Sequence, residues 1–433
     1  VKVLHAPVNI ANQATALRDA WRSQGDEAEV WTSTEPAFGY ASDKIVPPPA
    51  TPRELVEILD SVIADGFDVV HFHFAQTFSH PALGLPVGWD VDYLRAAGVK
   101  VIYGFHGTEV RDASLEMSLD RWSYYHFGAP HRPQRVVREA ADQARVRAHA
   151  MTVSNPATHD HVPDATYLPL CLNIEALEPS TQQRERPVIA HAPSKRAIKG
   201  TDVILAAFDE LAAAGVEFEV DLIEGVTNAE ALERMRNADI VVEKVLGAGW
   251  GVTAIEAMAL GRPVVSRVAD RGRGDHADCP IVDIDPDTLV STLTALIGDR
   301  ERRLALGKQG RAFAESTHSL AATAPRLAHL YSDTPDQPER HDAPGPVVLA
   351  HLEAVRKERD AALIQAREAR DTAAASVAAS AAAVHREQSA HDEQVQQLQD
   401  QIARLKQSLA TAAEHRTLTY RIKRRVRKTL RRT

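Results

Sequence analysis

The chain has 433 residues, 44% hydrophobic and 25% charged, with a net charge of −9, which suits two globular domains and a further segment. Its two cysteines, Cys171 and Cys279, exclude a disulfide framework as the organising principle, and a reducing compartment is the simpler expectation. No run approaches the ~18 apolar residues of a membrane span, and no charged-then-apolar leader opens the chain, so a cytoplasmic protein is expected.

In chain order, the first half alternates strand-like and helix-like runs. KVLHAPV, EAEVWTS, DVVHFHF, KVIYGFHG, HAMTVS and ATYLPL read as strands, while residues 14–24 and 52–64 carry apolar residues at helical spacing. That alternation predicts a doubly wound α/β sheet. Asn9, Asn12 and Gln13 follow the first strand, where they either line a cleft or cap the next helix. His71 and His73 alternate along one strand and share a face. A metal pair would want a third ligand, none stands at a recognisable spacing, and no metal is expected. His106, in YGFHGTEVR, stands at a strand end. There a neutral imidazole either hydrogen-bonds a ligand hydroxyl, takes its proton, or is satisfied by the backbone. Residues 112–133, with Trp122, Tyr124, Tyr125, His126 and Phe127, break the rhythm and read as a long loop or small helical insertion.

A polar stretch, 178–186, separates the halves. The second half reads PVIAHAPSKRAIKGTDVIL, then FEVDLIEGV, then ADIVVEKVLGAGWGVTAIEAMALGRPVVSRV. Each piece is a β-branched run that ends in a polar or Gly-rich turn and leads into a helix, as a parallel sheet with crossover helices requires. Ligands of such sheets bind at the carboxyl ends of the strands. Here those ends carry Ser194, Lys195, Arg196, Lys199 and the turn of Gly249, Trp250 and Gly251. Cations facing glycine amides at a helix start suit a diphosphate, and Glu256, one turn into that helix, can accept hydrogen bonds from a ribose diol. The bland alternatives are a solvated basic turn and an ordinary strand-to-helix connection. Val252 stands where a dinucleotide fingerprint would place a third glycine, so a nicotinamide cofactor is disfavoured; no cofactor is expected.

Residues 301–331 read as one or two helices, and SDTPDQPERHDAPGP reads as a linker. From 349 to 416 there is no glycine or proline. Val395, Leu398, Ile402, Leu405, Leu409 and Ala412 alternate three and four apart, the seam of a coiled coil that would make a homo-oligomer. Ala362, Ala366, Ala369 and Ala373 continue the spacing weakly. Such a helix would reach about 100 Å, the alternative being a helix folded back on the body. The last thirteen residues, RIKRRVRKTLRRT, hold eight positive charges, so the rest of the chain stands at −17. With Leu418, Ile422, Val426 and Leu430 recurring every four residues, residues 418–432 suit an anionic membrane surface, nucleic acid being the less favoured partner.

The run GWGVTAIEAMALGRPVV resembles the signature of the GT-B glycosyltransferases of family 4 (glycosyl transferases group 1). AHAPSKRAIKGTDVIL resembles that family's strand, loop and lysine around the donor diphosphate. The resemblance covers about residues 1–332 and is stronger in the second half. It implies two Rossmann-like domains facing a cleft, 1–177 on the acceptor side and 187–332 on the donor side. A linker (333–348), a coiled coil (349–416) and a basic amphipathic tail (417–433) would follow. The implied reaction is retaining, metal-independent transfer from a nucleotide-sugar donor to a hydroxyl, with a lipid-linked or polysaccharide acceptor of the cell envelope as a hypothesis. The implied donor-binding residues are Ser194, Lys195, Arg196, Lys199, Gly249, Trp250, Gly251 and Glu256. His106 and Lys199 are the implied catalytic groups, with Asn12, Gln13 and His73 on the acceptor side. The chain departs from the pattern twice. Ala248 replaces a glutamate eight residues before Glu256, and Ser194 replaces an arginine five residues before Lys199. A non-catalytic GT-B scaffold assembled by the coiled coil is therefore the main alternative, with a nucleotide-sugar epimerase behind it. Glu243, on the preceding strand, is a candidate substitute for the missing carboxylate.

Overall fold

The computed structural model describes residues 1–332 and 346–430, so most of the expected linker lies outside the described residues. Strands in the first half are β1 (Lys2–Ala6), β2 (Glu27–Thr32), β3 (Lys44–Ile45), β4 (Val69–His73), β5 (Lys100–Phe105), β6 (Ala150–Val153) and β7 (Thr166–Tyr167). They form one seven-stranded sheet in the order 3-2-1-4-5-6-7, every pair parallel. The second half contributes β8 (Val188–His191), β9 (Glu219–Leu222), β10 (Ile240–Lys244), β11 (Val264–Ser266) and β12 (Val282–Asp283) in the parallel order 12-11-10-8-9. Central strands are buried on both faces, β4 along its whole length, which is why they read as unbroken apolar runs with embedded histidines.

Local signals set the helices. The helix Pro52–Ala64 starts at Thr51, whose hydroxyl accepts from the Glu54 amide at 3.2 Å, while the Glu54 carboxylate reaches back to the Ala50 amide at 2.7 Å. Pro52 costs nothing there, because a first-turn amide has no helical partner. The first helix runs Gln13–Arg22. It packs Leu17 and Trp21 against β1 and β4 together with Leu327 and Tyr331. Residues 301–331 form two helices, Arg300–His318 and Leu320–Ser332. The second of these returns to the first sheet, although the linear reading placed it in the donor half. The chain thus crosses between halves twice, side by side, with the Leu172 amide bonded to the His318 carbonyl at 2.8 Å.

The separator at 178–186 is held in place. Buried Arg262 donates to the Gln182 carbonyl at 2.8 Å, and Arg303 donates to the Gln183 side-chain oxygen at 2.6 Å. The insertion at 112–133 is structured as a helix, Ala113–Leu119, and a short turn of helix, Tyr124–Phe127. Tyr124 and Tyr125 enter the core of the second half beside Val245 and Leu246.

The helix Pro346–Leu430 forms its own unit from Glu353 on. Its 85 residues would extend about 130 Å at 1.5 Å per residue. It starts inside the expected linker and passes the expected coil-to-tail boundary without a break, because Ala-rich sequence free of glycine and proline gives no stop signal. Val395, Leu398, Ile402 and Leu405 are exposed. The side chains of Leu409, Ala412 and the stripe Leu418, Ile422, Val426 and Leu430 lie outside the described residues. Among the described residues no helix is long and apolar enough to cross a membrane.

Candidate functional site

In the second sheet the chain lays down β8 and β9, then crosses to β10 on the other side of β8. The carboxyl ends of β8 and β10 therefore flank a topological switch point, where open α/β sheets hold ligands. The loop after β8 leads into the short helix Arg196–Lys199, and the loop after β10 is the Gly-rich turn. Sequence-distant Lys199 and Gly251 meet there. A β-carbon on Gly251 would lie 3.0 Å from a Glu243 carboxylate oxygen and 3.5 Å from Lys199 Nζ. Ser194, Lys195 and Arg196 are exposed at the mouth of the same loop, Arg196 within 3.5 Å of Glu224.

Glu243 is the residue sequence reasoning noticed without being able to position. It is fully buried at the end of β10, ion-paired with Lys199, and its other oxygen accepts from Ser266 at 2.6 Å. Burial works to raise its carboxyl, but the Lys199 and Lys244 cations outweigh burial and hold it below the ordinary glutamate range. Lys244, the last residue of the same strand and next to Glu243, went unnoticed. Its ammonium donates to the Ala248 carbonyl at 3.2 Å, and burial brings its pKa down to about 8 against the opposing pull of Glu243.

The turn itself is clamped. Gly249 has φ +77°, and a β-carbon there would stand 2.1 Å from the Asn155 amide nitrogen; one on Gly272 would stand 2.0 Å from the Gly249 nitrogen. Only glycines let these two backbones touch. The Gly247 and Gly249 amides donate to the Trp122 and Val268 carbonyls, so the helix start at Val252 is the part of the turn left to face an anion. Trp250 points away, its ring edge-on to Phe313, His276 and His318 and 5% exposed. The side chain expected among the donor contacts belongs to the core. Glu256 is 6% exposed, accepts from Asn228 at 2.8 Å, and has its carboxyl raised by burial, which Asn228 and Lys199 oppose. Tyr40, on the loop after β2, is raised to about 12 by burial and by the charge of Glu256, so the first half reaches toward this helix.

Glu116 of the insertion takes Arg111 at 3.2 Å and His161 at 3.0 Å from its own half and Arg271 from the other. Asp120 takes Arg267 at 2.6 Å. These acids join the insertion to Arg267 and to Arg271 of the helix Asp270–Arg273, which carries Gly272 against the turn.

In the first half, Asn12 has a left-handed backbone at the start of the first helix. Gln13 is 2% exposed, with its amide spent on both backbone groups of Cys171 at 3.0 and 2.8 Å. It ties the halves' crossing, a contact 158 residues away that no local pattern announces. His71 and His73 do share a face of β4, and His5 joins them from β1. Each offers a ring nitrogen within 4.8 Å of the others. His71 and His73 stack with centroids 4.6 Å apart, and His71 Nδ1 lies 3.1 Å from the Tyr331 hydroxyl. Gly104, beside His73 in the register, leaves room for these rings, since a β-carbon there would stand 2.8 Å from His71 Nε2. His106 follows at the carboxyl end of β5, partly buried. Burial lowers its pKa to about 4, so it is neutral at physiological pH.

No family model matches the chain. Curated relatives are two proteins named D-inositol 3-phosphate glycosyltransferase. That of Corynebacterium efficiens is 30% identical over 168 residues, 37% of either chain, and that of Corynebacterium glutamicum is 31% identical over 127 residues, 28% of this chain and 29% of the relative. The matched stretches thus span 37% and 29% of those relatives' length. Among solved structures, sucrose-phosphate synthase from Thermosynechococcus elongatus superposes with a TM-score of 0.55 at 14% identity, over 77% of this chain and 98% of that one. The Anabaena protein HepE in complex with UDP-glucose superposes with a TM-score of 0.53 at 13% identity, over 77% and 99%. At such identities the likeness speaks for the fold, two parallel-sheet halves on each side.

Proposed function

We propose that this chain, whose fold is GT-B, is a glycosyltransferase that moves a sugar from a nucleotide-sugar donor to a hydroxyl acceptor. The observation that carries the reading is the switch-point cluster, where Lys199, a buried carboxylate and a helix start converge on a turn whose Gly249 has no room for a β-carbon. A charged pair at the edge of the core is costly to build for stability alone, and positive charge beside a helix start is what a departing diphosphate requires. In the resting chain Glu243 holds the Lys199 ammonium in position. A bound diphosphate would compete for it, and Glu243 supplies a carboxylate near the turn although Ala248 cannot. Glu256 and Asn228 would take the ribose.

UDP-glucose, which the Anabaena protein binds, is the first donor to try, followed by GDP-, ADP- and dTDP-sugars. A donor that binds only the native state raises its stability by about 2.7 kcal/mol at a hundredfold excess over the dissociation constant. The expected result is a thermal shift with one sugar nucleotide, followed by transfer to an acceptor such as D-inositol 3-phosphate or a lipid-linked sugar. No shift with any of them would favour the scaffold reading, and turnover without an acceptor would favour an epimerase. Retention at the anomeric carbon and independence from added metal belong to the same proposal and are read from the product's anomeric NMR signal and from activity in chelator.

The long helix is read as a coiled coil with a second copy of the chain. Its strict two-in-seven stripe of Val395, Leu398, Ile402 and Leu405 is exposed, narrow and matched in width by another such helix. Sedimentation of the full chain is expected to give an oligomer that Ile402→Asp dissociates. Association of residues 418–432 with anionic membrane stays part of this proposal and is tested by vesicle flotation.

A further inference from the structure

Three imidazoles run in line from the interior of the first sheet to its carboxyl end. His5 Nδ1 stands 3.0 Å from His73 Nε2, and His73 Nδ1 stands 3.1 Å from His106 Nε2. The ring centroids are 5.3 and 5.4 Å apart with planes within 21° and 28°, which places the rings edge to edge and not face to face. Both separations are hydrogen bonds, and each bond needs one proton. Burial holds all three rings below the ordinary histidine range, so each carries a single N–H at neutral pH. His73 uses both nitrogens, donating from one and accepting at the other. The row is therefore directional, with all its N–H groups pointing the same way.

Two orderings satisfy that condition. If the hydrogens point inward, His106 donates from Nε2, keeps a lone pair on Nδ1, and the row ends in an Nε2–H on His5. If they point outward, His5 and His73 donate from Nδ1, and the row ends in an Nδ1–H on His106. His5 is 0% exposed and its Nε2 has no protein partner, so the inward ordering strands a donor in the core. The outward ordering leaves only a lone pair there, and an unmatched buried N–H is the costlier of the two. The Nδ1–H it leaves on His106 is also buried without a protein partner, so each ordering strands one N–H, and the outward one places it at a strand end, where a ligand of such a sheet can accept from it.

We propose that His5, acting through His73, fixes the tautomer of His106 so that His106 presents Nδ1–H as a hydrogen-bond donor to an oxygen of the bound sugar or phosphate. His5 and His73 are positioning residues. The inference rests on the reading of His106 as a cleft residue and sharpens it. Acting as a base through Nδ1 would require the row to reverse, with one proton leaving His106 and another reaching His5 Nε2 in the core, where no group supplies it.

Long-range proton–nitrogen NMR of the full chain labelled with nitrogen-15 histidine reads the protonated nitrogen of each ring, and His106→Asn identifies the His106 signals. The expected wild-type result is Nδ1 protonated and Nε2 bare. His5→Asn, whose amide N–H falls near the lost Nδ1–H, should keep that pattern. His5→Leu, which removes the donor, should lose the fixed Nδ1–H. Finding Nε2–H on His106 in the wild type, the same tautomer in a folded His5→Leu, or one equivalent of tightly bound metal would overturn the proposal. If His5→Leu does not fold, the wild-type and His5→Asn spectra decide. The spectra need no sugar nucleotide, so a chain with the expected tautomer that binds no donor would sink the proposed transfer and leave the fixing of the His106 tautomer by His5 standing.

Discussion

Lys199→Ala is expected to abolish sugar transfer and to weaken the fold, and the two effects are separable. Glu243 is fully buried and its charge is held by Lys199 and Lys244. Removing the nearer partner leaves a buried carboxylate half-compensated, which costs on the order of 3–5 kcal/mol. On the proposed role of Lys199 beside the departing diphosphate, transfer would lose a further factor of about 10²–10³ in kcat. Combining Lys199→Ala with Glu243→Gln removes the orphaned charge, so denaturant unfolding should recover most of the stability while transfer stays lost. Recovery of both would mean that Lys199 serves the fold alone. Because the Glu243 carboxyl is held below its unfolded value, its contribution is present above the ordinary glutamate range and is lost as pH falls through the lowered value. Glu243→Gln should flatten the acid limb of the stability curve for that reason.

Glu116→Gln is expected to produce the second-largest effect, although Glu116 lies far from the turn in sequence. Its carboxylate serves Arg111, His161 and Arg271 at once and is almost wholly buried. Burial works against its charge, but the His161 hydrogen bond and the two guanidinium groups bring its pKa down to about 2. A neutral amide there leaves two arginines without their shared counter-charge, at a cost of about 3 kcal/mol. The sign with pH follows from the lowered pKa. The stabilisation is complete above the unfolded glutamate value and disappears as pH falls toward about 2. Wild type and variant should therefore differ at pH 7 and converge in acid, as read by unfolding at each pH. Arg271 also belongs to the helix that presses Gly272 onto the Gly249 backbone. Slack there should raise KM for the donor by about tenfold, since small misplacements at a binding site are expensive. A variant as stable as wild type with unchanged KM would show that the Arg271–Asp160 pair at 2.7 Å and the Asp120–Arg267 pair hold this contact without the Glu116 charge.

Much of the fold was written locally. Alternating β-branched runs and helical stripes determined two parallel α/β halves, because strands buried on both faces must be apolar throughout and crossover helices must keep one apolar side. The absence of glycine and proline determined the long helix. The glycine turn and the basic loop after β8 could be identified as strand-end features because a parallel sheet sends its ligand loops to one edge. Partnership was not legible. Trp250 reads as a ligand-side aromatic, yet Phe313 and His318, more than sixty residues on, draw it into the core. Nothing near Gln13 in sequence announces that its amide closes on the Cys171 backbone. Lys199 and Glu243 are 44 residues apart, and the ion pair exists only because β8 and β10 lie side by side. The histidine row needs β1, β4 and β5 in register at once. Periodicity and turn chemistry act over a few residues, so the sequence by itself determined which elements form. Which side chains meet depends on sheet order and register, and those were decided only when the strands assembled.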